Sequence, residues 1–187
     1  KDSQVILDIV SRVIPPNEYK VVFTDTDMEI PYTYNTIKET EALYKSKYEG
    51  LDFISAKSSK RAYDLWESYG PPSRINRWCC SVLKTALFGR EMKKLLSTKR
   101  QPKIVVFEGV RAEESNKRDT YNRIGEGVKH INLINSRAIF RWNLTEIYLY
   151  LFYRKIKINQ AYRYGLTRVG CSICPFASDW SEFIIRK

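Results

Sequence analysis

The stretch Lys103-Ile104-Val105-Val106-Phe107-Glu108-Gly109-Val110-Arg111 carries the clearest strand signal in the sequence. Its short apolar run is typical of a parallel strand buried on both faces, and a glycine and an arginine follow at its carboxyl end. A second such run, Val21-Val22-Phe23, precedes the polar residues Asp25-Thr26-Asp27. Because ligands of parallel α/β sheets bind at the carboxyl ends of the strands, the two polar groups predict a binding site.

Helical patterns alternate with these strands. Apolar spacing from Ser3 to Val13 predicts a helix that Pro15-Pro16 ends, and a second helix is predicted between Pro31 and Gly50. Weaker strands are predicted at 53–56 and 131–134, and a further helix is predicted after Cys79-Cys80. Asn143 is the predicted N-cap of a last helix, whose inward-facing apolar residues are Leu144, Ile147, Tyr148 and Leu151. This alternation predicts an α/β fold with a mostly parallel sheet and helices on both faces.

Length and composition limit the class of protein. A chain of 187 residues suits one domain, here 1–187, and 43% hydrophobic with 28% charged residues excludes a disordered, collagen-like or coiled-coil chain. No apolar run approaches the ~18 residues that a membrane-spanning helix needs, so no membrane partner is expected. The start of the chain has no signal-peptide pattern, which favours a cytoplasmic protein.

Positive charge dominates most of the chain. Lys and Arg number 32 against 21 Asp and Glu, a net charge of +11. The first 50 residues hold 6 basic and 9 acidic side chains, so the excess lies entirely after them. Such a field attracts nucleotides, sulfonucleotides and nucleic acids without distinguishing between them.

The four cysteines form two pairs, Cys79-Cys80 and Cys171-Ser172-Ile173-Cys174, separated by 90 residues. Three interpretations remain open: an iron–sulfur cluster, a zinc site, and buried structural thiols. Adjacent cysteines are hard to place on one tetrahedral zinc ion, whereas a cubane cluster offers a separate iron atom to each thiolate. Disulfides are disfavoured because adjacent cysteines bridge only with strained geometry.

Five blocks of sequence, in this order, resemble the motifs of one family. They are Lys1-Asp2-Ser3, the Asp25 block with Pro31 and Thr33, and residues 77–84, 109–118 and 168–175. The first resembles the end of the S-G-G-K-D-S phosphate loop of PP-loop proteins, and the second resembles their D-T-G-x-x-x-P-E-T motif. The other three are similar to motifs of the phosphoadenosine phosphosulfate (PAPS) reductase family. The ordered set is specific, although each block alone is a weak signal.

The resemblance implies a Rossmann-like adenine nucleotide alpha hydrolase (PP-loop) fold that binds an adenine nucleotide or sulfonucleotide. The tandem-cysteine pattern is similar to the branch that reduces adenosine phosphosulfate to sulfite with a 4Fe-4S cluster and a thioredoxin-like donor. The residues implied are Cys79, Cys80, Cys171 and Cys174 as cluster ligands, Lys84 as the catalytic residue between cluster and substrate, and Lys1, Asp2, Ser3, Asp25, Arg111, Glu114, Ser115, Arg118 and Arg168 in the nucleotide or sulfonucleotide site.

The chain departs from the family pattern in three places. The S-G-G half of the phosphate loop and the strand before it are absent, as is the E-C-G-x-H tail with its nucleophilic cysteine. We therefore expect a fragment that lacks its first strand and a C-terminal tail. Asp27 stands where the family has Gly, and Tyr32 stands where it has Glu.

An alternative function follows from the missing nucleophile. Reduction needs a thiolate that attacks the sulfonucleotide, and all four cysteines are assigned to the cluster. Cluster-bearing PP-loop relatives also activate a substrate with ATP, release pyrophosphate and install sulfur in tRNA or DNA, which is the alternative function.

Asp25 and Asp27 are predicted to contact the nucleotide or its magnesium, with capping of the next helix as the other interpretation.

Overall fold

The computed structural model describes residues 1–97, 103–126 and 133–186. Its residue contacts divide the chain into two compact units, one of 1–18 and 92–157 and the other of 19–91 and 158–187. We call them the first and second units and describe each by itself. This division does not test the prediction of one domain over 1–187, or of a missing first strand and tail.

The first unit combines helix α1 with the strand that carries the clearest sequence signal. Its helices are α1 (Asp2–Val13), the last turns of α5 (Ala86–Leu96), α6 (Asn116–Asp119) and α7 (Leu144–Tyr153), with a 3-10 turn at Ala112–Glu114. Its strands are β3 (Ile104–Phe107), β4 (Ile124–Glu126) and β5 (Leu133–Ser136). Strand β5 lies between the other two, parallel to β3 and antiparallel to β4.

The second unit holds the other parallel pair. Its strands are β1 (Lys20–Asp25) and β2 (Asp52–Lys57), which pair from Lys20 with Asp52 to Asp25 with Lys57. Its helices are α2 (Pro31–Lys47), α3 (Ala62–Tyr69), α4 (Trp78–Cys80), the start of α5, and α8 (Asp179–Arg186), with a 3-10 turn at Gln160–Tyr162. A π turn, Ser81–Thr85, joins α4 to α5.

These elements confirm the predicted α/β class with mostly parallel strand pairs. Helix α2 begins at Pro31, where proline is favoured because the first helical N–H needs no partner. Asn143 caps α7 as predicted, since its side chain accepts from the Glu146 N–H while the Glu146 carboxylate accepts from the Asn143 N–H. Residues 131 and 132 of the fourth predicted strand lie outside the described residues, and the strand continues to Ser136.

One part of the predicted α7 stripe is wrong. Ile147 and Leu151 are fully buried, but Leu144 is 41% exposed. Leu144 is the first residue of the helix, where its N–H donates to the Glu113 carboxylate at 2.9 Å. Periodicity identifies a face but not the point at which the end of a helix leaves the core.

An ion pair with a buried carboxylate joins α1 to the C-terminal end of α7 inside the first unit. The Asp8 carboxylate, on a residue only 7% exposed, accepts from the Tyr150 hydroxyl at 2.7 Å and from Arg154 Nε at 3.0 Å. Burial by itself would raise the pKa of Asp8, but the two donors outweigh it and lower that pKa. Sequence periodicity does not show this contact, because Asp8 lies 142 and 146 positions from its two partners in the sequence.

Within the described ranges, no helix combines the length and the apolar character needed to cross a membrane.

Candidate functional site

All four cysteines line one pocket in the second unit, and all four are free thiols. The two pairs come from α4 and from the loop before α8, so the fold brings together segments that are remote in sequence. The remaining walls come from Thr26, Met28, Arg77, Lys84, Ile173, Pro175 and Phe176. The structure therefore groups the predicted cluster ligands with the predicted catalytic lysine.

The pocket does not by itself define a metal site. Over the ranges that the structure describes, no three His, Cys, Asp or Glu side chains converge in a way that would hold a single metal ion. The assignments of Cys79, Cys80, Cys171 and Cys174 to a cluster, or to zinc, remain predictions.

The first cysteine pair is held by its neighbours in the core. Trp78 is 8% exposed and its indole N–H donates to the Gly70 carbonyl at 2.9 Å. The π turn that follows keeps Leu83 fully buried while Lys84 lines the pocket. Single π turns inside helices are frequent at functional sites, where they displace a side chain from its α-helical position.

The second cysteine pair sits on a loop tied to the segment after β1. Glu29 and Cys171 form an antiparallel bridge, and both the N–H and the hydroxyl of Ser172 donate to the Met28 carbonyl, at 2.8 and 3.0 Å. Arg74 Nε donates to the Pro175 carbonyl at 3.1 Å on the other side of the loop. These bonds fix the backbone that carries Cys171 and Cys174.

Two polar side chains, Thr26 and Glu29, contact Cys171, and sequence analysis did not predict these contacts. Thr26, fully buried, has its Oγ1 3.5 Å from the Cys171 sulfur and donates to Glu29 Oε1 at 2.9 Å. The Glu29 carboxylate lies 3.7 Å from the same sulfur. The only sequence signal for either residue was its place in the block that follows β1.

Burial and neighbouring charges shift the pKa values of Cys79, Cys171 and Lys84 in this pocket. Burial, reinforced by the Glu29 charge, raises the pKa of Cys171 despite Lys84 and Thr26, and burial together with Cys80 raises the pKa of Cys79. Burial opposes charge on Lys84, but Cys171 and Glu29 outweigh it and raise the pKa of Lys84. Because metals bind thiolates, occupation of this pocket must release protons.

The first unit gathers seven of the nine residues implied for the nucleotide site. Lys1, Asp2 and Ser3 begin α1, and Gly109, which follows β3, lies against them. Arg111 is 4% exposed and its Nε donates to Asp2 Oδ1 at 2.7 Å. The other members are Glu114, Ser115 and Arg118, in which Glu114 pairs with Arg118 and the Ser115 hydroxyl accepts from the Arg118 N–H.

The other two, Asp25 and Arg168, belong to the second unit. Arg168 is exposed. The buried Asp25 accepts from the Tyr34 hydroxyl at 2.9 Å and from the Asp27 N–H at 2.8 Å, and its other oxygen lies 3.6 Å from Lys57 Nζ. Lys57 was not predicted, and strand register places it beside Asp25. These contacts engage both carboxylate oxygens of Asp25 within the protein, and its role toward nucleotide or magnesium remains a prediction.

Asp27 has a backbone conformation that favours glycine, which is the residue that the resemblance implies at this position. Its φ is +61°, in the left-handed region that glycine adopts freely and Asp tolerates better than most residues. Its Oδ2 accepts from the Ala62 N–H at 3.1 Å, at the start of α3. The capping interpretation of Asp27 therefore has a structural basis, although the capped helix is α3 and not α2.

Substitutions at Asp27 should separate backbone strain from capping. Asp27→Ala loses the cap and keeps the strained φ, so we expect a loss of about 2 kcal/mol in the free energy of unfolding. Asp27→Gly loses the same cap but relieves the strain, so we expect a change within about 1 kcal/mol of wild type. Urea unfolding of both variants measures the difference, and equal losses would contradict the strain argument.

Lys155 provides the matched control. Its φ is +53° just after α7, and it is exposed. Lys155→Gly relieves strain without removing a side-chain cap, so it should stabilise the protein by about 1 kcal/mol in the same measurement.

The elements define an α/β domain, and comparison with solved structures supports this fold class. The crystal structure of PAPS reductase from Candida auris in a phosphate complex matches with a TM-score of 0.66 and 18% identity, over 91% of this chain and 76% of that chain. An FMN adenylyltransferase of Candida glabrata matches with a TM-score of 0.55 and 20% identity, over 80% of this chain and 40% of that one. At these identities the likeness establishes the fold alone, which is the predicted Rossmann-like PP-loop type.

The family follows from the sequence. The model of the phosphoadenosine phosphosulfate reductase domain matches residues 1–177, and the chain belongs to this family. Two uncharacterized proteins of Methanocaldococcus jannaschii are each 30% identical over 94% and 98% of this chain, which spans 34% and 41% of their lengths. An adenosine 5'-phosphosulfate reductase of Shouchella clausii is 22% identical over 94% of this chain and 68% of that protein.

Proposed function

We propose that this chain is the adenine-nucleotide-binding domain of an adenosine phosphosulfate reductase that carries a 4Fe-4S cluster on its four cysteines. The observation that carries the proposal is the pocket that holds all four thiols together with Lys84. Family membership supports sulfonucleotide chemistry, and the similarity to an adenosine 5'-phosphosulfate reductase favours that substrate over PAPS.

The donor set suits a cluster better than a single zinc ion. Cys79 and Cys80 are adjacent, and adjacent cysteines are hard to place on one tetrahedral zinc ion. A cluster with several iron corners accepts more widely spaced thiolates. Two cations offset their charge: Lys84 in the pocket wall, and Arg77, whose guanidinium nitrogen lies 3.9 Å from the Cys80 sulfur. When bound, such a cluster supplies a redox centre whose potential depends on nearby hydrogen bonds and solvent access.

The nucleotide phosphate is assigned to the start of α1. A helix N-terminus presents unpaired N–H groups and a positive dipole end, both of which favour tetrahedral oxyanions. Lys1 adds a positive charge beside Asp2, its Nζ lying 3.4 Å from Asp2 Oδ2. Arg118 and Arg168 are the further anion contacts that the family pattern implies.

Reduction needs a nucleophile that these residues do not supply under this proposal. A thiolate would attack the sulfur of the sulfonucleotide, break the bond between sulfur and the phosphate oxygen, release AMP and form a cysteine thiosulfonate. A dithiol donor of the thioredoxin type would then release sulfite and become a disulfide. Because all four cysteines are assigned to the cluster, the attacking thiol belongs to another part of the protein or to a partner.

The alternative, an ATP-dependent sulfurtransferase that modifies tRNA or DNA, gains no support from these relatives. It rests on the net charge of +11 and on the missing nucleophile alone. We keep it only as an outcome of the test.

The test uses the intact protein that contains this domain, purified without oxygen. Adenosine phosphosulfate, PAPS and ATP are supplied separately with reduced thioredoxin, and sulfite and pyrophosphate are measured. We expect sulfite, formed fastest from adenosine phosphosulfate. Pyrophosphate from ATP alone, stimulated by tRNA or DNA, would replace the proposal by the alternative.

A variant pair tests the role of the pocket lysine. Lys84→Met should lower turnover about tenfold to a hundredfold, because a preorganised cation that stabilises developing negative charge supplies effects of this size. Lys93→Met removes an equal charge from the exposed face of α5 and should leave turnover unchanged. Equal turnover in the two variants would remove Lys84 from the mechanism.

A further inference from the structure

We infer that Arg111 is a positioning residue: it holds the first turn of α1 in place and neutralises Asp2, so that the nucleotide phosphate can approach. This inference rests on the proposed function and revises one part of it, since the family pattern implies that Arg111 grips the phosphosulfate directly.

Two nitrogens of the Arg111 guanidinium already donate hydrogen bonds within the protein. Nε donates to Asp2 Oδ1 at 2.7 Å, and Nη1 donates to Glu113 Oε2 at 2.6 Å and to the Trp142 carbonyl at 3.3 Å. The side chain is only 5% exposed. A ligand anion that bound Arg111 through Nε or Nη1 would have to displace charge-assisted bonds of a guanidinium that is almost entirely buried.

The backbone of Arg111 is fixed as firmly as its side chain. Its N–H donates to Glu114 Oε2 at 3.0 Å, and the following N–H, of Ala112, donates to the Phe140 carbonyl at 2.8 Å. Two residues earlier, the Cα of Gly109 faces the backbone of Asp2 and Ser3 so closely that a Cβ would lie 2.9 Å from the Asp2 carbonyl carbon. The segment that leaves β3 thus touches the first turn of α1 at two points, Gly109 and Arg111.

The bond between Arg111 and Asp2 affects an anionic ligand because Asp2 itself carries a negative charge. A carboxylate in the first turn stabilises the helix but repels an incoming phosphate. Burial would raise the pKa of Asp2, but Lys1 and Arg111 outweigh it and lower that pKa, so the carboxylate is ionised and compensated. Loss of Arg111 would leave this negative charge without its closest partner at the position assigned to the phosphate.

Direct and indirect roles predict opposite results when Asp2 is also changed. If Arg111 acts through Asp2, Arg111→Met should weaken AMP binding about tenfold or more, and adding Asp2→Asn should restore most of that affinity because the repelling charge is gone. If Arg111 contacts the phosphate, adding Asp2→Asn cannot restore the lost contact. Calorimetric titration of AMP into the intact protein and its three variants completes the cycle.

Two controls keep the result interpretable. Arg141→Met removes an arginine from an exposed pair with Asp119 in the same unit and should leave AMP affinity unchanged. Arg111→Lys keeps the positive charge, provides a readout if Arg111→Met fails to fold, and should bind AMP within about threefold of wild type. Thermal melts identify which variants are folded at the titration temperature.

The outcomes separate this inference from the proposed function. Absence of AMP and sulfonucleotide binding in the wild-type protein would remove the proposed function. The positioning role alone would be overturned if the wild-type protein binds AMP normally, Arg111→Met lowers AMP affinity, and adding Asp2→Asn leaves that loss unchanged or makes it larger. If Arg111→Met is unfolded, a tenfold loss in Arg111→Lys that Asp2→Asn does not restore would overturn it as well.

Discussion

Cys171→Ser should remove most of the iron and acid-labile sulfide from protein purified without oxygen. Cys171 lines the pocket together with the three other cysteines, and its backbone is held by the bridge to Glu29. A serine hydroxyl is a far weaker ligand for iron than a thiolate, because it is harder and does not ionise near neutral pH. Iron and sulfide analysis, with the visible absorption spectrum, measures the effect.

Ser172→Ala is the matched control for this substitution. Ser172 lies beside Cys171, and its backbone N–H keeps one bond to the Met28 carbonyl when the hydroxyl is lost. We expect its iron content to equal that of wild type. An unchanged iron content in Cys171→Ser would remove this residue from the ligand set, and iron-free wild-type protein would remove the cluster from the proposed function.

Gly109→Ala should destabilise the first unit and weaken nucleotide binding together. The added Cβ would lie 2.9 Å from the Asp2 carbonyl carbon and 3.0 Å from both Asp2 Cβ and Ser3 N. Since the obstacle includes backbone, the start of α1 must shift, and such overpacking costs about 1–3 kcal/mol. The same shift moves the N–H groups assigned to the phosphate, so we expect AMP affinity to fall about tenfold or more.

Gly125→Ala separates steric conflict from a general effect of losing glycine. Gly125 lies in β4 of the same unit, and its nearest neighbour to an added Cβ is Arg137 Nη1 at 3.7 Å, an ordinary contact. We expect its unfolding free energy within about 0.5 kcal/mol of wild type and its AMP affinity unchanged. Urea unfolding and calorimetry measure both variants, and equal stability of the two would contradict the close approach of Gly109 to α1.

The local elements of this fold could be predicted because their signals lie in short stretches of sequence. The apolar run at 104–107 forms β3, and Asn143 with Glu146 starts α7 through a capping box. Pro31 starts α2 for an equally local reason. The five ordered blocks also identified the family, which the match over residues 1–177 confirms.

Only part of the candidate site could be predicted from the sequence. The sequence named the four cysteines and Lys84, and the structure places them in one pocket. The sequence did not reveal that Thr26 and Glu29 lie beside Cys171, because that contact depends on the bridge between Glu29 and Cys171. Nor did it reveal that Lys57 lies beside Asp25, because that contact depends on the register of β1 and β2. Nor does spacing show that Arg111 donates to Asp2 and Glu113.

The sequence by itself therefore determined the α/β class, the family and the residue types available for chemistry, since strand, cap and motif signals are local. Tertiary structure alone decided which of those residues share a pocket and which are held by one another. Arg111 and Asp2, 109 positions apart, form a bond of 2.7 Å only because β3 delivers its carboxyl end to the first turn of α1. Such a contact depends on the path of the whole chain, and local periodicity carries no information about it.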